Sequence, residues 1–249
     1  QPLAAVMARD LGVSARAFGL ALMATQVGYA FGMLFLVPLG DGQERRRLLV
    51  ITALAASLAL VGVALAPSFR WVASAALILG FASSLPQMIV PFAVGLVPAE
   101  RRGAVIGTVM GGLLAGILLS RTAAGALGRV VGWRTTFGVA AVAMVLLAIV
   151  LGLALPRQEP ETRVPFFTLM RSLGPLVRDE PLLRRHSVVG ALGFAGFSVF
   201  WSTLSFHLAR AGHGSEVAGA FGVIGLTGVF VAPFVGRLAS RVPARRINL

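Results

Sequence analysis

Very few residues in this chain could carry chemistry. Its 22 basic residues are all arginine and it has no cysteine, so thiolate nucleophiles, thiolate metal sites, disulfides and a lysine Schiff base are excluded within it. The three histidines, His186, His207 and His213, do not stand at the spacing of a metal site. All nine acids fall between the long apolar runs and none inside one. An intramembrane enzyme would need a Ser/His pair, a carboxylate dyad or a metal cluster at membrane depth, and the sequence offers none. Catalytic residues, metal and cofactor are therefore all expected to be absent.

The apolar runs do contain a handful of polar side chains. Arg121 is the single ionisable residue within one, and a charge in hydrocarbon marks a functional site by default. It lies 19 residues beyond Arg102, about 28 Å along a helix axis, so snorkelling to the far interface is an equal reading. Gln26 and Gln87 fall near the mid-depth of their runs, where an amide must hydrogen-bond either a solute or a neighbouring helix. Trp201, followed by Ser202 and Thr203, either lines a polar path or anchors in the aromatic belt. Gln26, Gln87, Arg121, Trp201 and Thr203 are thus the candidates for a substrate path.

The elements that hold them are set by hydropathy. Hydrophobic residues make up 57% of the chain and charged ones 12%, against about 25% charged in soluble domains. Runs long enough to cross a bilayer, about 20 residues, lie between Arg16 and Asp41, Arg47 and Arg70, Arg70 and Glu100, Arg102 and Arg121, Arg134 and Arg157, His186 and His207, and Glu216 and Arg237. The fold class is all-α, a polytopic membrane protein with seven spans in these residues. Ser14 is placed to cap the first span, in which Gly28 and Gly32 share one face. The second span, almost entirely Ala, Leu and Val, is expected to be peripheral. The third is interrupted by Pro86 and Pro91, with Ser83, Ser84 and Gln87 near its middle, the composition of a helix along a pathway. Gly103, Gly107, Gly111 and Gly116 of the fourth span read as a packing face. Residues 156–186, with five prolines, six arginines and the apolar patch Phe166–Met170, read as a linker whose patch lies on the membrane surface.

The net charge of +13 does not point to nucleic acid, because the arginines sit in the loops. Counted alternately from the first span, fifteen fall on one side and six on the other, Arg121 apart. The positive-inside rule makes the fifteen-arginine side cytoplasmic. The partners are then a lipid bilayer and a small-molecule substrate. The chain starts on Gln1 outside the cell with no targeting segment, and so reads as a piece of a longer protein.

One short motif organises these spans. Leu39-Gly40-Asp41 with Arg45-Arg46-Arg47 follows the first span, and Gly236-Arg237-Leu238-Ala239 with Arg241 and Arg245-Arg246 follows the last, so that Asp41 aligns with Ser240, 199 residues later. Six spans separate the copies, making six helices the repeating unit. The paired motif resembles the loop that major facilitator superfamily transporters carry after helices 2 and 8, with closest likeness to bacterial inner-membrane efflux proteins. The resemblance implies two six-helix bundles: residues 1–155 as the first, lacking one helix, 156–186 as the cytoplasmic linker, and 187–249 as the start of the second. The chain would cover helices 2 to 8 of twelve. It also implies a gating network in which Asp41 pairs with Arg45 and Arg46 lies beside them, with Gly236, Arg237, Arg241 and Arg245 as the second-half counterpart, and a fourth and a seventh span that slide as a matched pair. Val37, Gly42, Glu44, Ser240 and Pro243 depart from the family pattern. The function implied is secondary active transport by a monomer, export of a small organic solute or drug by proton antiport, with proton-coupled uptake as the alternative. A seven-helix receptor fits the span count, but neither the six-helix repeat nor the absence of lysine.

Overall fold

The computed structural model of the chain describes residues 2–158, 165–214 and 216–221, with Asp41 through its backbone alone. Among these residues every regular element is helical. The order is α1 (Ala4–Asp10), α2 (Ala15–Phe31), a π-helical turn (Gly32–Leu36), α3 (Val37–Gly42), α4 (Arg45–Ala64), α5 (Phe69–Ala82), α6 (Leu85–Gly95), a 3-10 turn (Ala99–Arg101), α7 (Arg102–Ala154), α8 (Phe166–Asp179) and α9 (Pro181–Arg210).

Five stretches are long and apolar enough to cross a membrane: Ala15–Gly40, Arg45–Ala64, Phe69–Gly95, Ala99–Ala154 and Pro181–Arg210. The fourth is two spans in one. The 53 residues of α7 would measure about 80 Å if straight, against a hydrocarbon core of about 30 Å, and the chain turns back at Gly132, where φ is 79° and ψ 165°. Only glycine takes that conformation without strain. Six of the expected spans are thus present, and the seventh lies largely beyond Phe221, outside the described residues.

The helix starts follow the local chemistry. Ser14 caps α2 by accepting from the Ala17 N–H at 3.1 Å, and Ser68 caps α5 through the Trp71 N–H. Glu44 caps α4, its two carboxylate oxygens each accepting at 3.0 Å from the Arg46 and Arg47 N–H groups. The π-helical turn ends at Leu36, two residues before Pro38, whose ring cannot sit over the preceding turn of a regular helix. The third span breaks between α5 and α6 at Ser83 and Ser84, where Pro86 supplies no N–H. The Ser83 hydroxyl donates to the Leu79 carbonyl at 2.7 Å and the Ser84 hydroxyl to that of Phe81 at 2.9 Å.

α4 leaves one face open, with Ile51, Leu54, Leu58 and Val61 exposed, as expected of a peripheral helix, and packs the other. It lies against both α5 and α7, and Thr52, Ala53, Ala56, Ser57, Ala59 and Leu60 are all buried. Small side chains let helices close in from two sides. The Ser57 hydroxyl donates to the Ala141 carbonyl of α7 at 2.8 Å. On the other side of the bundle α2 packs on α5 so closely that a side chain at Gly28 would strike the Leu77 carbonyl, one at Gly32 that of Phe81, and one at Gly80 that of Thr25. At Gly103, Gly107, Gly111 and Gly116 no atom of the described residues lies within 4 Å of such a side chain.

One buried cluster gathers Leu3, Met7, Phe18, Val63, Val72 and Trp133 at one end, and another gathers Leu36, Leu49, Leu85, Phe92 and Ala148 at the arginine-rich end. At the first end α1 is fastened to the turn of α7. The Asp10 carboxylate accepts from Trp133 Nε1 at 3.1 Å and from the Arg134 guanidinium, which also donates to the Ala66 carbonyl at 3.3 Å. Hydrogen bonds from Arg134 and then Trp133 hold the Asp10 carboxyl below its ordinary value of 3.8. A carboxyl depressed in the folded state stabilises it fully above the ordinary value, and less as pH falls through the lower folded value. Asp10→Asn should therefore lower the melting midpoint of the full-length protein between about pH 5 and 7, with the gap closing below about pH 4. An equal gap at every pH would contradict this clamp.

Candidate functional site

At the arginine-rich end, the side chains of the first motif close off helix ends. Arg45 Nε donates to the Gly40 carbonyl at 3.0 Å and Nη1 to the Pro91 carbonyl at 3.5 Å, joining the end of α3 to α6. Arg46 Nη1 donates to the Leu155 carbonyl at 3.1 Å, at the C-terminus of α7. The last carbonyls of a helix lack partners within it and carry its negative dipole end, so a guanidinium both satisfies and neutralises them. The Asp41 side chain, and Gly236, Arg237, Arg241 and Arg245 of the second copy, lie outside what is described.

A cavity of about 470 Å³ lies toward the opposite end, among α1, α2, α4, α5, α7 and α9. Its wall is largely apolar, from Met7, Phe18, Leu60, Val63, Val72 and Phe137, and its polar groups are Thr25, Gln26, Ser120, Arg121, Thr136 and Ser202. This is the usual make-up of a small-molecule site, an apolar enclosure with a few convergent polar groups.

Arg121 does not snorkel alone. Its guanidinium lies 4.2 Å from the ring centroid of Trp201 and 5.2 Å from that of Phe197, both on α9, and its Nη1 donates to the Ile117 carbonyl at 3.1 Å. Cation–π contact of this kind strengthens as water is excluded, to about 2 kcal/mol. Gln26 Nε2 donates to the Ser198 hydroxyl of α9 at 2.8 Å. Both contacts belong to one stripe of α9, in which Phe194, Phe197, Ser198, Trp201, Ser202 and Phe206 recur at helical spacing. Phe194 stacks on Tyr29 of α2, with centroids 6.1 Å apart, and Phe206 meets Phe18 edge-on at 6.4 Å. The first residues of the last expected span join the same region, where Thr122 donates its hydroxyl to the Gly219 carbonyl at 2.9 Å.

The structure thus brings Gln26, Arg121 and Trp201 together. Gln87 is one residue removed: its amide donates to the Tyr29 hydroxyl at 3.1 Å, behind the ring that stacks on Phe194. Thr203 stands apart, exposed, with its hydroxyl turned back to the Val199 carbonyl of its own helix. Phe197 and the Asp10–Trp133–Arg134 clamp escape sequence reasoning. Phe197 falls one turn before Trp201, a spacing that places the two rings on one face.

The comparisons with known proteins agree with this architecture. The family model described as Major Facilitator Superfamily matches residues 1–249, and the chain belongs to that superfamily. It is 42% identical over 209 residues to the uncharacterized transporter YgaY of Escherichia coli O157:H7, covering 84% of this chain and 53% of the relative. It is 34% identical over 249 residues to the probable transporter SCO4007 of Streptomyces coelicolor, covering 99% of this chain and 58% of the relative. A more distant relative is the purine ribonucleoside efflux pump NepI of Salmonella typhimurium, 26% identical over 253 residues, covering 98% of this chain and 60% of the relative. The chain thus spans a little over half the length of the relatives it matches.

The Arg121 stack makes a sharp expectation. In the full-length protein, Arg121→Ala and Trp201→Leu should each lower solute flux at least about tenfold, the loss of roughly 1.4 kcal/mol, with membrane expression intact. Arg121→Lys should fall between, since an ammonium keeps the charge and loses the planar stack. Full flux in all three would remove Arg121 from the path.

Proposed function

We propose that the full-length protein is a secondary active transporter that exports a small organic solute by proton antiport, through alternating access about the seam between α9 and the first-half helices. The observation that carries this reading is the cavity at that seam, an apolar enclosure into which Arg121, Gln26 and Ser202 bring charge and hydrogen-bonding capacity. Its floor and roof differ in kind. Toward one end lies the aromatic and amide stripe of α9, and toward the other the arginine-capped helix ends around Arg45 and Arg46. A solute can pass only if these open in alternation, and contacts made of single hydrogen bonds and ring faces can exchange at a cost of a few kcal/mol.

Under this reading residues 1–155 act as the first bundle and 187–249 begin the second. The linker 156–186 and the Arg45–Arg47 cluster face the cytoplasm, and the protein works as a monomer in a bacterial inner membrane. Asp41 with Arg45 and Arg46, and Gly236, Arg237, Arg241 and Arg245 in the other half, form the gate at the cytoplasmic ends. Gly103, Gly107, Gly111 and Gly116 pack against the last span. Among the described spans the sole acid is Glu100, exposed at the very start of Ala99–Ala154, so we place the proton-binding carboxylate in the part of the full-length protein that these residues do not cover.

A purine ribonucleoside, the solute in the name of the Salmonella relative, is the first compound to test, because a flat, nitrogen-rich ring suits a site built from an aromatic–guanidinium stack and amides. Everted membrane vesicles holding the full-length protein should accumulate the labelled solute when the lumen is made acidic, and a protonophore should abolish this. Accumulation only under the opposite gradient would replace antiport by symport.

A further inference from the structure

We propose that α8 is a membrane-surface anchor that binds the phosphate headgroups of anionic phospholipids through Arg171 and Arg178. Phe167, Arg171, Gly174 and Arg178 follow one another at intervals of four, three and four residues, which sets them in a single stripe along the helix. The first turn of the helix is docked through its apolar side, whereas Leu176 and Val177 farther along are exposed. Phe166 meets Phe35 with ring centroids 6.4 Å apart, and Phe166 and Leu169 share a recess of about 270 Å³ with Pro38 and Leu39.

This docking sets the depth of the first turn of α8. Phe35 precedes Gly40, where the first apolar span ends, by five residues, about 7.5 Å along the axis. That is the depth, about 5–10 Å, at which surface helices seat their apolar side chains. Phe167 is 84% exposed, and at that level its ring meets acyl chains, while arginines on the same stripe extend to the headgroups above. A guanidinium takes a phosphate diester through two parallel N–H groups, a geometry that zwitterionic lipids offer with a competing ammonium and anionic ones offer without it.

The charge pattern agrees. Between residues 171 and 185 there are four arginines, Arg171, Arg178, Arg184 and Arg185, and two acids, Asp179 and Glu180. Arg184 Nη1 donates to the Arg178 carbonyl at 3.2 Å, which ties the start of α9 to the end of α8. An anchor at α8 therefore also holds the root of α9, the helix that carries Trp201 and Ser198.

The test is a depth measurement on the full-length protein, with any thiol outside these residues replaced by serine and a spin label on Gly174→Cys. A side chain at Gly174 meets nothing within 4 Å, so the label reports the stripe without displacing it. The protein is placed in phosphatidylcholine vesicles with or without about 30% phosphatidylglycerol, and the label's access to oxygen and to a water-soluble nickel chelate is compared. The label should be oxygen-accessible and shielded from the chelate in the anionic vesicles, and move toward water in the neutral ones. Arg171→Gln with Arg178→Gln should weaken the preference for anionic vesicles about 30-fold, at a roughly fivefold contribution per arginine near the surface. Equal depth in both vesicles would overturn headgroup recognition. A label open to the chelate in both would place the stripe in water, and one closed to both reagents would place it under protein; either overturns the anchor. None of these readouts depends on what is transported.

Discussion

In hydrocarbon there is no water to satisfy a backbone N–H or C=O, and each orphaned group costs several kcal/mol. That constraint explains the placing of almost every polar side chain in the bundle. At the break in the third span the Leu79 and Phe81 carbonyls accept from both the backbone N–H and the hydroxyl of Ser83 and Ser84 respectively. The first span can end at Gly40, close to α6, because Arg45 serves both Gly40 and Pro91. The C-terminus of α7 has Arg46 on Leu155, and Glu44 fills the N–H groups that open α4. The side chains of the loop motif that are described are therefore a set of caps.

The same constraint separates Arg121 from the other arginines. Its guanidinium stands beside the rings of Phe197 and Trp201 and bonds the Ile117 carbonyl of its own helix. A ring face attracts a guanidinium through its quadrupole. Contacts between α9 and the first-half helices are of this directional, small-area kind, with Gln26 on Ser198 and Tyr29 on Phe194. They contrast with the interlocked approach of α2 and α5, where carbonyls occupy the space a side chain would need at Gly28, Gly32 and Gly80. One interface is interlocked, the other is made of separate point contacts.

Much of this was legible in the sequence, where a single helix settles the matter. Span positions follow from hydropathy, the break near Pro86 from the missing N–H, the Ser14 cap from its hydroxyl, and the shared face of Gly28 and Gly32 from their spacing. What was not legible depends on which helices become neighbours. Periodicity tells which side of α4 is small, but not that two partners would close on it. Nor does it tell that Asp10 would meet Trp133 and Arg134, more than 120 residues later. Gln26 and Trp201 were marked by being polar or amphipathic at membrane depth, whereas Thr203, marked on the same ground, turns its hydroxyl back to its own helix. For a Thr, satisfaction within the helix is always available; the longer side chains of Gln26 and Arg121 also reach a second helix, at Ser198 and Trp201.

The central claim is that solute passes through the cavity beside Arg121, and so the seam between α2 and α9 must open in each cycle. The most direct measurement is flux through the full-length protein carrying Gln26→Cys and Ser198→Cys, on an otherwise thiol-free background, after a short bis-thiol cross-linker has joined the two positions. The side chains there meet at 2.8 Å, within reach of such a reagent. Cross-linking to completion should stop flux, cleavage of the linker should restore it, and each single-cysteine protein should be unaffected by the reagent. Undiminished flux with the two helices quantitatively joined would contradict the account.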